Sequence, residues 1–276
     1  MKIIVIANQK GGVAKTTTSG ALASQLARRG KRVLGIDMDP QASFTENCGV
    51  KQSEDGVYAV MRKKRHIRGC IQHTERFDIL PASIMMAALE QELSGEMGRE
   101  CRLNEAITED RLHKRYDYII IDCPPALGTM TVNALVCADY VLIPTNADIN
   151  AVKGIAQLNS TITNVRKYYN PRLRIVGILQ TRDNSRYNIS NEVRKVAVLA
   201  AKKINCRLFN TRIRNCVSAP EANFEVADLF DYDPKSTVAQ DYETFVGELL
   251  KAVHDEGPGK PPPQKGGVKH NGKNRN

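Results

Sequence analysis

An apolar run, Lys2-Ile3-Ile4-Val5-Ile6-Ala7, gives way to Asn8-Gln9-Lys10-Gly11-Gly12-Val13-Ala14-Lys15-Thr16-Thr17-Thr18, and a helical pattern follows at once. This junction constrains the fold more than any other segment. A buried strand ending in a glycine turn that opens a helix is the first unit of a parallel α/β sheet. The amides of such a turn and of the helix N-terminus converge on one point and favour an anion there, and glycine lets the anion come close. A plain connecting turn would account for Gly11 and Gly12, but not for two lysines and three threonines. Lys15 is placed to reach β- and γ-phosphates, and the Thr16 hydroxyl to ligate Mg²⁺. The strict pattern G-x-x-x-x-G-K-[ST] is not met, because Gln9 and Ala14 stand at its two glycine positions. What is met is K-G-G-x-x-K-[ST], with Lys10 as an additional lysine.

Short β-rich runs alternate with longer helical stretches through the rest of the chain. Strands are predicted at Lys2–Ala7, Arg32–Asp37, Phe77–Leu80, Tyr118–Asp122, Tyr140–Pro144 and Arg174–Gln180. Helices are predicted near 16–29, 85–94, 102–114, 128–137, 148–168, 188–203 and 236–254. The runs Ile3–Ile6 and Ile119–Ile121 are apolar without alternation, as expected of strands covered by helices on both faces. The expectation is a single doubly wound, mostly parallel sheet over 1–255. Residues 256–276 form a separate tail. From Gly257 on it holds five cations, no acid and Pro261-Pro262-Pro263, a composition that cannot bury enough surface to fold.

Two acidic motifs end predicted strands, Ile36-Asp37-Met38-Asp39-Pro40-Gln41 and Ile119-Ile120-Ile121-Asp122-Cys123-Pro124-Pro125. Carboxylates at the C-terminal ends of parallel strands face the ligand crevice. Asp122 is placed to hold the hydration shell of Mg²⁺, and Asp39 to orient an attacking water while also touching that shell. Either one alone would read as a turn or helix cap; the order of the three motifs argues otherwise.

The strings K-G-G-V-A-K-T-T-T, D-M-D-P-Q, Y-D-Y-I-I-I-D-C-P-P and V-N-A-L-V-C-A-D-Y-V-L-I-P resemble those of the ParA/Soj partition ATPases, and the resemblance extends over roughly 1–252. It implies ATP and Mg²⁺ as cofactors, with slow hydrolysis. It implies a sandwich homodimer in which Lys10 reaches the partner's phosphates, so that Lys10, Lys15, Asp39 and Asp122 form the catalytic set. It further implies that the ATP-bound dimer binds double-stranded DNA without sequence preference, and that a ParB-like centromere-binding protein stimulates hydrolysis. Thr181 resembles the adenine-contacting position. Ala14 departs from the family's usual glycine and adds a methyl near the phosphates.

The net charge of +10 is unevenly spread. Between Arg182 and Arg214 nine Lys/Arg meet only Asp183 and Glu192. On the helix predicted at 188–203, Arg194, Lys195, Lys202 and Lys203 share one half of the wheel and apolar residues the other. With Arg212 and Arg214 they form the expected phosphate-backbone surface. Arg62-Lys63-Lys64-Arg65-His66 reads as a solvated helix end. Seven dispersed cysteines without C-x-x-C spacing fit a reducing, cytoplasmic setting, nucleoid-associated if DNA is bound. Cys123 and Cys137 read as small buried hydrophobes rather than cluster ligands.

No apolar run reaches the length of a membrane span. A membrane-cycling ATPase of the MinD kind would need an amphipathic C-terminal helix, which Gly257–Asn276 does not offer. A metabolic enzyme that phosphorylates a carboxylate through the same loop would need no basic face.

Overall fold

In a computed structural model that describes residues 1–146, 151–184 and 188–255, one eight-stranded sheet carries helices on both faces. The first half of the chain runs β1 (Lys2–Ile6), α1 (Lys15–Arg28), β2 (Val33–Asp37), α2 (Ser43–Asn47), α3 (Val57–Met61), β3 (Gln72–His73), β4 (Asp78–Leu80), α4 (Met86–Glu92), α5 (Arg102–Glu109) and β5 (Tyr118–Asp122). The second half runs α6 (Thr129–Cys137), β6 (Tyr140–Thr145), α7 (Ala151–Tyr168), β7 (Arg174–Asp183), α8 (Asn188–Lys203), β8 (Leu208–Arg214), α9 (Ser218–Phe224), α10 (Leu229–Tyr232) and α11 (Thr237–Asp255). The strand order is β3-β4-β2-β5-β1-β6-β7-β8, and every pairing is parallel except β3 with β4.

Two apolar layers hold the sheet, and alternate residues of each strand supply them. Ile3 and Val5 point into the layer shared with α6 and α7, together with Ile119, Ile121, Leu135 and Leu158. Ile4 and Ile6 point the other way, into the layer of α1 and α11, with Leu22, Leu26, Phe245 and Leu249. Each such side chain is worth roughly 1.5–3 kcal/mol when fully buried. These unalternating strands are therefore the most firmly specified part of the fold.

All six predicted strands are present, and the seven predicted helices lie where their periodicity puts them; positions 148–150 of one are outside the described residues. The last turn predicted within 102–114 separates as a short 3₁₀ segment, Leu112–Lys114. Among the described residues, two strands and four α-helices lack a sequence signal. The unpredicted β8 falls inside the stretch read only for its charge. The unpredicted helices α2, α3, α9 and α10 have four to seven residues each, too short to show a period.

Strand β8 closes one edge of the sheet, and α11 packs along it. The Glu248 carboxylate accepts the amides of Asn210 and Thr211 at 2.8 and 3.0 Å, and Asp241, seven residues earlier on the same helix, accepts the Arg214 amide at 2.9 Å. Glu248→Ala should strand two partly exposed amides, cost about 1 kcal/mol and lower the melting temperature by roughly 2–4 °C. Thermal denaturation followed by circular dichroism checks this; an unchanged transition would mean that water replaces the carboxylate without loss.

Candidate nucleotide site

Strands β2, β5 and β1 end level with one another. Asp37 pairs in register with Asp122, and Asp122 with Ile6, so the two carboxylates and the start of the loop meet at the middle of the edge where the parallel strands end. From Ile6 the chain turns through Asn8, whose Nδ2 donates to the Pro144 carbonyl at 2.7 Å while its Oδ1 accepts the Lys10 amide at 3.1 Å. Gly12 has φ +70°, a conformation that costs glycine nothing. Gly11 and Gly12 face open space, with nothing within 4 Å of where a Cβ would stand. Val13 is fully buried, so only its backbone serves the loop, and Thr17 is half-buried beside it. Ala14 caps α1 with φ 60° and ψ 35°. An alanine pays about 1–2 kcal/mol there, which gives a physical reason why glycine suits this position. Helix α7 presses on the same loop: a Cβ on Gly154 would lie 3.2 Å from Asn8 Oδ1.

Lys15 is 8% exposed and its Nζ donates to the Lys10 carbonyl at 3.1 Å, folding the ammonium back across the loop. Burial lowers its pKa from the usual lysine value, and the charges of Asp122 and Asp39 oppose that shift. On α1, Thr16 Oγ1 donates to Asp122 Oδ2 at 2.7 Å and Ser19 Oγ to Asp122 Oδ1 at 2.8 Å. Burial raises Asp122 to about 7, and the neighbouring Asp37 charge adds to the shift against these two hydrogen bonds. Asp37 is likewise raised by burial, to about 6, although it accepts the Thr45 amide at 2.9 Å, the Thr45 hydroxyl at 2.8 Å and the Asp39 amide at 3.1 Å.

Asp39 is half-buried, and its Oδ1 accepts the Gln41 amide at 3.0 Å. The turn-capping role that a lone Asp before proline suggests is therefore present, beside carboxylates that face the loop. Lys10 is half-buried, and its Nζ reaches Asn146 Oδ1 at 3.3 Å, at the end of β6. Thr181, expected to meet a base, is fully buried beneath the loop. Its hydroxyl lies 3.0 Å from the Val13 carbonyl and 3.2 Å from the Thr145 carbonyl.

The donors suit a nucleotide with Mg²⁺. They are hard oxygens, the Thr16 hydroxyl and the Asp122 carboxylate, and no group of three or more His, Cys, Asp or Glu gathers to hold a metal among the described residues. Sparse protein ligation, with phosphates and water completing an octahedron, is how Mg²⁺ is commonly bound. Asn8, Ser19, Asp37 and Thr45 were not singled out from sequence. Ser19 was findable, since it follows Thr16 by three residues on one helix face. A cavity of about 570 Å³ also borders Thr16 and Thr17, lined by Phe44, Phe77 and Phe230 together with His73, Arg76 and Asp228.

The residues expected to form a basic surface differ in their surroundings. Arg214 clasps Asp241, with Nη2–Oδ1 at 2.7 Å and Nε–Oδ2 at 2.9 Å, and Arg212 lies 3.5 Å from Asp183. Arg194 turns inward, Nη1 to Gln180 Oε1 at 3.4 Å and Nη2 to the Phe209 carbonyl at 3.3 Å. Burial and the charge of Arg212 lower its pKa. Counting charge along the sequence missed the Arg214 pairing because Asp241 belongs to α11, far along the chain. Lys195, Lys202, Lys203 and Arg207 are exposed. Cys123 and Cys137 are buried, as expected, and burial raises both thiols.

A strand–loop–helix with its lysine and hydroxyl at the helix start, set beside a buried strand-end aspartate, defines a phosphate-loop nucleoside triphosphatase. A family model described as an AAA domain matches residues 1–175. Sporulation initiation inhibitor protein Soj of Bacillus subtilis (strain 168) is 39% identical over 252 residues, 90% of this chain and 98% of that one. Chromosome partitioning protein ParA of Myxococcus xanthus (strain DK1622) is 38% identical over 254 residues, 91% of this chain and 88% of that one. The solved structure of cobyrinic acid a,c-diamide synthase from Mycobacterium smegmatis, with bound ATP analog and magnesium, matches with a TM-score of 0.80 and 30% identity, covering 95% of this chain and all of that one. The chain belongs to the ParA/Soj family of partition ATPases. No helix among the described residues is long and apolar enough to cross a membrane.

The raised carboxylates set a pH dependence. In the folded chain Asp122 and Asp37 hold their protons to about pH 7 and 6, whereas the unfolded chain releases them near 4. Between those limits the folded state binds more protons, so these groups stabilise it at low pH and the benefit is lost as pH rises. Without Mg²⁺ or nucleotide, stability should fall from pH 5 to 8. Asp122→Asn should flatten that slope, the two proteins diverging by on the order of 3 kcal/mol across the range. Urea denaturation at a series of pH values tests it, and parallel curves would refute the assignment.

Proposed function

We propose that this chain is a Mg²⁺-dependent ATPase that partitions DNA, acting as an ATP-bound homodimer on DNA and released by hydrolysis. One observation carries the reading: Lys15 and Thr16 at the start of α1 share a corner with Asp122, which holds the Thr16 hydroxyl at 2.7 Å. The Soj and ParA relatives, and the diamide synthase structure with its ATP analog and magnesium, support it.

In this reading the amides from Gly11 to Thr17 and the Lys15 ammonium bind the phosphates. Thr16 and Asp122 hold Mg²⁺, Asp122 through water and with Asp39 touching the same shell. The ion, when bound, neutralises charge that develops on the phosphates. Asp39 orients the attacking water. Lys10 leaves Asn146 and reaches the partner's phosphates in a sandwich dimer. Lys195, Lys202, Lys203 and Arg207 make the DNA surface, and a ParB-like protein accelerates hydrolysis. Such a protein would work in the cytoplasm, on the nucleoid. The tail from 256 on lies outside the described residues.

Asp39→Ala should bind Mg²⁺-ATP and dimerise yet hydrolyse it at least ~10²-fold more slowly, the lower end of a positioned base contribution. It should also accumulate on DNA. Lys10→Ala should bind ATP as a monomer and fail to dimerise. Steady-state ATPase, light scattering and DNA retention on the same folded preparations decide these roles. Wild-type turnover in Asp39→Ala would remove it from catalysis, and a normal dimer of Lys10→Ala would remove the trans lysine.

Replacing Lys195, Lys202, Lys203 and Arg207 by glutamate should abolish ATP-dependent DNA retention while sparing ATP binding. Wild-type retention should fall steeply with salt and be indifferent to sequence. A vesicle-sedimentation control separates the membrane-cycling alternative. Salt-insensitive or strongly sequence-selective retention would contradict this surface, and no retention with ATP would point instead to a metabolic enzyme on the same loop.

A further inference from the structure

Thr181 sits on β7, 168 residues from Val13 in sequence, yet its hydroxyl lies within hydrogen-bond distance of two carbonyls, that of Val13 in the phosphate loop and that of Thr145 at the end of β6. The Val13 carbonyl lies outside the ladder of α1, which begins with the Thr18 amide donating to the Ala14 carbonyl at 3.0 Å. It takes the Thr181 hydroxyl instead, at 3.0 Å. In a trans peptide the carbonyl and the following N–H point in opposite directions, and no cis peptide occurs among the described residues. With the Val13 carbonyl turned inward onto Thr181, the Ala14 amide is turned outward, away from the core.

Two further contacts make the arrangement rigid. The same hydroxyl reaches the Thr145 carbonyl at the end of β6, so β7, β6 and the loop are pinned at one point. Val13 is fully buried, which holds the other side of the peptide plane. Thr181 itself has no exposed surface with which to meet a base.

We propose that Thr181 is a positioning residue of the phosphate loop. From β7 its hydroxyl sets the Val13–Ala14 peptide plane so that the Ala14 amide faces the bound phosphates. The proposal rests on the reading of this loop as a phosphate cradle, and it assigns Thr181 to the phosphates rather than to adenine.

The test titrates full-length wild type, Thr181→Val and Thr181→Ser with Mg²⁺-ATP and, separately, with Mg²⁺-tripolyphosphate, which has no base. Valine keeps the shape and removes the hydroxyl; serine keeps the hydroxyl. Thr181→Val should weaken both ligands by the same factor, roughly tenfold, the effect of stranding one buried acceptor. Thr181→Ser should stay close to wild type for both. Loss of ATP affinity with tripolyphosphate unaffected would make Thr181 a base-site residue and overturn the proposal, as would a valine variant that binds both normally. Wild type that binds neither ligand would bring down the cradle reading itself, and this proposal with it. A second measurement needs no variant: amide hydrogen exchange at Ala14, followed by NMR on the wild-type chain. Exchange should be fast without ligand and slow when tripolyphosphate is added. An Ala14 amide already protected in the free chain would point inward and refute the assignment.

Discussion

The site depends on one buried carboxylate. Asp122 ends an apolar strand at 1% exposure and spends its two oxygens on hydroxyls of a single helix, Thr16 and Ser19. Those bonds tie the central strand to the first turn of α1 and so fix where the helix N-terminus, with its converging amides, points. Burying a carboxylate is costly unless it is well hydrogen-bonded, and here the cost is only partly offset, as its rise to about 7 records. A cation bound beside it would complete the compensation.

The loop is held from the opposite side by the end of β6. Asn8 binds the Pro144 carbonyl, Thr181 bridges Val13 and Thr145, and Lys10 reaches Asn146. Pro144 and Thr145 at the end of β6 and the following Asn146 thereby anchor three points of one loop, Thr145 through Thr181. The next residues of β7 continue the polar cluster: Gln180 donates to Asp183 at 2.8 Å, Arg194 reaches Gln180, and Arg212 pairs with Asp183. Arg194 and Arg212, counted in sequence towards a DNA face, join this packing, whereas Arg214, Lys195, Lys202, Lys203 and Arg207 are exposed.

The fold and the loop were largely legible because both are local. Ile3–Ile6 and Ile119–Ile121 announce buried strands without reference to any partner, and K-G-G-x-x-K-T carries its phosphate chemistry within seven residues. What stayed hidden depends on contacts between distant segments. Arg214 reads as a free cation until α11 brings Asp241 against it. Thr181 reads as a base contact until the loop is seen to lie on top of it. Asp37 was passed over for Asp39, since two carboxylates two residues apart look alike until burial separates them. Strand β8 pairs irregularly with β7 and carries little apolar pattern, so its cations dominated its reading.

The carboxylates of α11 along β8 also bear on how copies of the chain can meet. An open strand edge invites another strand to add to it, and sheets commonly associate that way. Here one edge ends in a strand of only two residues, and at the other edge Glu248 and Asp241 occupy three of the amides of β8. Neither border offers a continuous row of donors and acceptors to a neighbour. Lateral growth into a ribbon is thereby disfavoured, which leaves the proposed sandwich dimer to form at the crest of the sheet, where the loops after the parallel strands stand out.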